Sequence, residues 1–276
     1  MTQEDSNASF WDHLDILRKV LFRIIAVWAV VSVVAFVCKD ALFGIVFAPK
    51  DDGFATYRLR DSLCRQFGLP VPDPINIQLI NTGLAQQFMT HMKTALCTGV
   101  VVAAPYALYE LFGFIAPGLY NNERLFASRF IVSGYFMFLI GICMSYFIIF
   151  PMTFQFLGSY QVSDEVVNMI SLESYMSTLI MMCLCMGIVC ELPVMAWLAG
   201  RMGLVKSSYM TRYRRHAVVV ILIVAAVITP TSDVFTLMIV SLPIWLLYEF
   251  SVLIVRGVER NREPEEDVDT ALPEVG

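Results

Sequence analysis

The chain has 276 residues, 58% of them hydrophobic and only 16% charged, with a mean hydropathy of +0.68. Soluble domains carry charge on about a quarter of their residues, so this composition excludes an ordinary soluble globular protein and predicts several membrane spans. The formal charge of −5 mostly describes one end, because seven of the 24 acids (Glu259, Glu263, Glu265, Glu266, Asp267, Asp269 and Glu274) fall within the last eighteen residues.

Residues 1–9 are polar, with no basic stretch or small-residue cleavage site beside the first apolar run, so no removable signal peptide is expected. Ser9-Phe-Trp-Asp12 fits a capping box and predicts a helix start, with residues 1–19 as an amphipathic lead-in. Leu21 to Val37, interrupted only by Arg23 and Ser32, is long enough with its flanks to cross a hydrocarbon core of about 30 Å and forms span one. Residues 39–87 read as a long polar outer loop rich in proline and glycine, with Ile75-Asn-Ile-Gln-Leu79 as a short strand.

Span two runs from about Phe88 to Pro105 and continues as helix to Ala116. Pro105 can kink that helix, whereas Pro117-Gly118 stops it, leaving a polar loop with Glu123 at its tip, next to Arg124 and below an aromatic ledge of Tyr109, Phe112 and Phe114. A carboxylate held there suits a cationic partner arriving from the aqueous side. Span three runs from Phe126 to Phe150 and ends at Pro151; Gln161 to Glu173 is a second outer loop; Ser174 to Gly200 is span four. After a basic loop from Arg201 to His216 come spans five (Ala217–Ile228) and six (Val234–Val255), separated only by Thr229-Pro-Thr-Ser-Asp233. Twelve apolar residues rise about 18 Å, well short of the bilayer core, so this hairpin sits in a protein-lined recess or thins the bilayer. Residues 20–256 thus read as a six-span membrane domain, and residues 257–276 as an acidic, disordered tail.

With the N-terminus inside, 13 of the 19 Lys and Arg residues lie at the inner face; Lys39, Lys50, Arg58, Arg60 and Arg65 lie outside, and Lys93 is near a span end. The bias predicts both termini in the cytoplasm, and Glu123 with them.

Glu191, within Cys190-Glu-Leu-Pro193 of span four, is an ionisable residue in lipid and so a functional candidate by default, although a neutral carboxyl bonded to backbone freed by Pro193 would also explain it. Asp233 can cap span six, serve a function, or both. Asp12 and Asp15 are three apart and share one face of the lead-in helix. Lys93, His91, Glu110 and Glu249 lie near helix ends, where snorkelling accounts for them. The cysteines form no CxxC or Cys/His cluster, the three histidines have no ligand spacing, and no motif for a nucleophile, nucleotide or catalytic metal appears. No metal, cofactor, enzymatic activity or nucleic-acid partner is expected. On the residues alone, a proton-coupled small-molecule transporter using Glu191 is the alternative to a receptor.

Several motifs in order resemble the TatC family, the multi-span receptor subunit of the twin-arginine protein translocase. They are His13-Leu-Asp-Ile-Leu-Arg18, Ala48-Pro49, Ala104-Pro105, Phe114-Ile-Ala-Pro-Gly-Leu-Tyr120 with Glu123-Arg124, and Tyr146-Phe-x-x-Phe-Pro151. Glu191-Leu-Pro193, Thr229-Pro230 with Asp233-Val-Phe235, and Pro243 with Glu249 continue the series. The resemblance implies an all-α polytopic membrane protein, six transmembrane helices in a cupped bundle with two short final helices, in the bacterial cytoplasmic (inner) membrane. It implies that Arg-Arg signal peptides of folded substrates bind at the cytoplasmic face, and that single-span subunits of TatA and TatB type assist export driven by the proton-motive force. Self-association in a larger complex is also implied. Carried over by position, Glu123 is a main twin-arginine contact, with Phe114, Arg18 and Arg124 beside it. Glu191 becomes the polar residue inside the cup, with Pro49 and Asp233 near its outer side and Pro105 and Pro117 as structural prolines. One position departs: the family's usual glutamate before span one is Ile16 here, so Asp15, one residue earlier, or Asp12, one turn below, takes its place.

Overall fold

The computed structural model describes the backbone of residues 3–51, 53–68, 70, 78–115, 124–161, 168–229 and 233–270, with side chains described from residue 14 to 260 within those segments except at 112, 115 and 124–130. Pro117 and Glu123 therefore lie outside the described residues, as do the side chains of Asp12 and Arg124. The chain divides into two compact units, Met1–Phe136 with Phe150–Ile180 and Met137–Ile149 with Met181–Gly276.

In the first unit, α1 (Gln3–Val37) packs along α4 (Gln86–Ile115). Helix α1 starts before the expected box at Ser9, since Glu4 and Asp5 in its opening turn suit the positive end of a helix. Its buried stripe passes through Leu17, Val20, Ile24, Trp28 and Ser32, at the three-to-four spacing of one helix face. The helices approach closely because residue 99 is glycine: a Cβ there would lie 3.2 Å from the Cα of Ser32. The Trp28 indole N–H donates to the Leu96 carbonyl at 2.9 Å, tying the two helices near mid-length.

The long polar loop is more ordered than its composition predicts. It holds α2 (Lys39–Phe47), a 3₁₀ turn (Ala48–Lys50) and α3 (Ala55–Gln66). Tertiary anchors explain the difference. Buried Tyr57 of α3 donates its hydroxyl to the Pro49 carbonyl at 3.1 Å and lies 3.4 Å from the Pro151 carbonyl. Tyr175 of α7 (Leu172–Val189) donates to the Val46 carbonyl at 2.9 Å and meets Phe150 and Phe154 edge-on. The expected strand at 75–79 falls largely outside the described residues; β1 is Leu79–Ile80, paired in parallel with β2, Ile170–Ser171.

Span three does not end at Pro151. Helix α5 (Arg124–Met144) passes through a π turn, Ser145–Ile149, into α6 (Phe150–Ser159). The wider π turn absorbs the hydrogen bond that Pro151 cannot make and the clash its ring would cause.

In the second unit, span four is two helices, α7 ending at Val189 and α8 (Leu192–Arg201), broken at Cys190 and Glu191. Pro193 has no N–H to continue the ladder, and the chain turns instead, with the Glu191 N–H donating to Ile188 at 3.1 Å. The basic loop contains α9 (Ser207–Arg212), followed by α10 (Arg214–Ile228) and α11 (Val234–Thr270). Helix α10 is indeed short, at 15 residues or about 22 Å. The last helix is not: α11 runs 37 residues, past the expected end at Val255 and into the tail expected to be disordered, as far as Thr270. Glu259, Arg260, Arg262 and Glu263 are good helix formers even in water, so the polar residues just past Val255 do not end the helix. Among the described residues, five helical stretches are long and apolar enough to cross a membrane, two of them joining α5 to α6 and α7 to α8; α10 falls short of that length.

Candidate functional site

Three groups of candidate residues are positioned by these helices. The first is the end of the α1–α4 pair where α1 begins and α4 finishes. Successive contacts along the pair, Arg23 with Glu110, Trp28 with Leu96, and Phe36 with Phe88, set an antiparallel register. That register carries Asp15 and Arg18 to the same end as Phe114, which lies one turn beyond Glu110. Asp15 and Arg18 are both exposed, Phe114 is half-buried, and Ile16, at the family's glutamate position, is 51% exposed. Asp15 projects about 160° away from the stripe packed on α4, taking 100° per residue. Its carboxylate is open to solvent on the far side of α1.

Sequence reasoning set Glu110 aside as a snorkelling side chain; the structure gives it partners. The Tyr106 hydroxyl donates to Glu110 Oε1 at 2.7 Å, from one turn earlier on α4, and Arg23 Nη1 lies 3.5 Å from the same oxygen. The 106/110 spacing and the lone arginine inside span one were the available signals. Only packing of the two helices brings them together.

The second group surrounds Glu191. Because this residue occupies the break between α7 and α8, its backbone carbonyl starts α8, accepting from Val194 at 3.0 Å and Met195 at 2.9 Å. Its side chain is half-buried, and Oε1 is buried with no hydrogen-bond partner among the described residues. The reading of a carboxyl satisfied by backbone that Pro193 frees is not realised at that oxygen. Neighbouring Cys190 is fully buried, and Gly141 of α5 lets the helices meet: a Cβ there would sit 2.5 Å from the Met186 carbonyl and 2.8 Å from Cys190 Sγ.

The third group closes α10 and α11. Asp233 Oδ2 accepts the Thr236 N–H at 2.7 Å, a side-chain cap on the first turn of α11. At the opposite end, Arg214 Nη2 meets Glu249 Oε2 at 2.7 Å, and Tyr248 donates to the Met210 carbonyl at 2.8 Å. Glu259 takes up the Ser207 N–H at 2.7 Å and its hydroxyl, capping α9. These contacts tie the basic loop to α11, and Glu249 is an ion-pair partner and not merely a snorkelling residue. On the first unit, Pro49 is buried beneath Tyr57, and Pro105 lies inside α4 without breaking it. No cluster of three or more potential metal ligands occurs among the described residues.

Long apolar helices, a carboxyl-bearing break in one of them and a short penultimate helix define a polytopic α-helical membrane protein. The fold is that of a solved receptor: "Crystal Structure of Twin Arginine Translocase Receptor- TatC" superposes with a TM-score of 0.72, covering 90% of this chain and 99% of that one at 23% identity. The profile of the family described as Sec-independent protein translocase protein (TatC) matches residues 12–243. A protein so named from Desulforapulum autotrophicum is 32% identical over 267 residues, covering 97% of this chain and 91% of its own. One from Deinococcus radiodurans is 32% identical over 95% of this chain and 91% of its own, and one from Helicobacter pylori is 37% identical over 65% and 70%. The chain belongs to the TatC family and is a component of the Sec-independent, twin-arginine protein translocase.

Proposed function

We propose that this protein is the receptor subunit that binds paired-arginine signal peptides at the cytoplasmic face of a bacterial inner membrane. Both termini then face the cytoplasm, in keeping with the bias of Lys and Arg toward that side. The observation that carries the reading is the α1–α4 register, which brings exposed Asp15 and Arg18 to the end of the pair that leads through Phe114 into the Pro117 to Arg124 loop.

Guanidinium forks pair with carboxylates through two parallel N–H···O bonds, a geometry that an ammonium cannot match. Glu123 supplies the main carboxylate. Asp15 or Asp12 adds a further carboxylate, Arg18 and Arg124 belong to the same site by the family resemblance, and Phe114 offers its ring to the apolar part of the peptide. Glu191 then serves a single-span partner subunit: a buried carboxyl oxygen without a partner among the described residues is a hydrogen-bonding anchor for a helix that is otherwise apolar. Asp233 holds the turn before α11 in place for the same assembly. Export is driven by the proton-motive force once these subunits gather, with several copies of this chain in the complex.

The test is binding of a twin-arginine signal peptide to the purified protein. Lys-Lys in place of Arg-Arg, or Glu123→Ala, is expected to weaken binding by about tenfold or more, the usual cost of breaking a close charge pair at an interface. Asp15→Ala and Asp12→Ala show whether either aspartate adds to the binding. Equal affinity for Arg-Arg and Lys-Lys peptides would remove the receptor reading.

A further inference from the structure

Two adjacent arginines cannot share one carboxylate with full bidentate geometry, so the receptor reading, on which this inference rests, requires a second acceptor. Asp15 points away from α4, about 160° from the packed stripe. Ile16 lies on a different side of α1, about 100° from Asp15. Seven residues turn a helix to within about 20° of the starting direction, so Arg23 lies on that side, about 10 Å further along. Arg23 is where Glu110 meets α1, with Nη1 3.5 Å from Oε1.

We propose that Glu110 is the second guanidinium acceptor of this receptor, and that Arg23 is its resident placeholder, displaced when the signal peptide docks. Three features of the pair carry this. Glu110 is preorganised: its side chain is only 12% exposed, and the Tyr106 hydroxyl holds Oε1 at 2.7 Å. Its second oxygen, Oε2, has no hydrogen bond or ion pair among the described residues, so a fork-shaped donor finds a free position. Arg23 is held loosely, since its side chain is 63% exposed and touches Glu110 through one nitrogen at 3.5 Å. A single-nitrogen contact at 3.5 Å to a largely exposed arginine is weaker than a two-bond fork, so exchanging it for a bidentate peptide guanidinium is favourable. Glu110 also lies in the last turn of the span Gln86–Leu111, one turn before Phe114, where an arginine followed by apolar peptide residues can reach it without crossing the bilayer core.

The placeholder role predicts opposite signs for the two partners, which a merely structural ion pair does not. Binding of Arg-Arg, Arg-Lys, Lys-Arg and Lys-Lys peptides is measured on the full chain in lipid nanodiscs, for the native protein, Glu110→Gln and Arg23→Gln. Glu110→Gln is expected to weaken Arg-Arg binding about tenfold and to abolish the preference for arginine over lysine at one of the two peptide positions. Arg23→Gln is expected to tighten binding roughly threefold, because the carboxylate no longer has to release a competitor. Weakening by both variants, or no change in either, overturns the proposal. Should Glu110→Gln fail to fold, Arg23→Gln alone decides, since unchanged or weaker binding contradicts displacement. If the native protein does not distinguish Arg-Arg from Lys-Lys, the receptor reading itself has failed; if it does and the Glu110 and Arg23 variants behave like the native chain, only the placeholder fails.

Discussion

At the scale of single residues, the membrane interior makes every unpaired polar atom conspicuous, because water is not there to satisfy it. Glu191 is the clearest case: its place follows from Pro193, which breaks the ladder, while its burial follows from packing in the second unit. Replacing Glu191 with Gln keeps the shape and removes the ability to ionise. The variant is expected to fold, with an unchanged thermal midpoint, and to export a folded twin-arginine substrate about tenfold more slowly, a loss of ~1.4 kcal/mol in the driving interaction. Native export rates would remove Glu191 from any charge-dependent role. The sequence marked this residue out by its type and context. It did not reveal Glu110, because a glutamate near a helix end has an ordinary explanation until Tyr106 and Arg23 are seen around one of its oxygens.

At the scale of elements, helix contacts depend on which glycines face a neighbour. Gly99 of α4 lies against Ser32 of α1, whereas a methyl group placed on Gly44 of α2 would find no neighbouring atom within 4 Å. Gly99→Ala therefore has to push α1 away and is expected to destabilise the protein by about 1–3 kcal/mol, the usual cost of overpacking. Gly44→Ala is expected to be neutral or to stabilise by up to about 1 kcal/mol, since alanine favours a helix. Thermal unfolding in detergent distinguishes the two; equal effects would mean that the close approach does not hold α1 to α4. Both glycines look alike in the sequence. The same holds for prolines: Pro105 stays within α4, Pro151 is absorbed by a π turn and Pro193 breaks span four, three outcomes for one residue type. Neighbouring helices decide among them by how well they re-satisfy the freed carbonyls.

At the scale of the whole molecule, the five long apolar stretches among the described residues and the 15-residue α10 follow the hydropathy of the chain closely. The positive-inside bias favours a cytoplasmic place for both ends, as proposed above. A fluorescent protein fused after Gly276 is then expected to fold and fluoresce, while an alkaline phosphatase at the same place stays inactive; the reverse pattern would invert the orientation. The inner-face site and the outer loop would exchange sides with it.

What the sequence determined by itself was the class, the number and order of apolar runs, the short α10 and the family, because each depends on composition or motifs in series. The tertiary structure alone decided which residues meet. It ordered α2 and α3 within a loop that looked merely polar, through buried hydroxyls on Tyr57 and Tyr175 that reach carbonyls of distant segments. It set Arg23 of α1 against Glu110 at the far end of α4. Such contacts arise from the register and rotation of packed helices, which a one-residue change in phase turns by about 100°, and no local pattern in the chain encodes that phase.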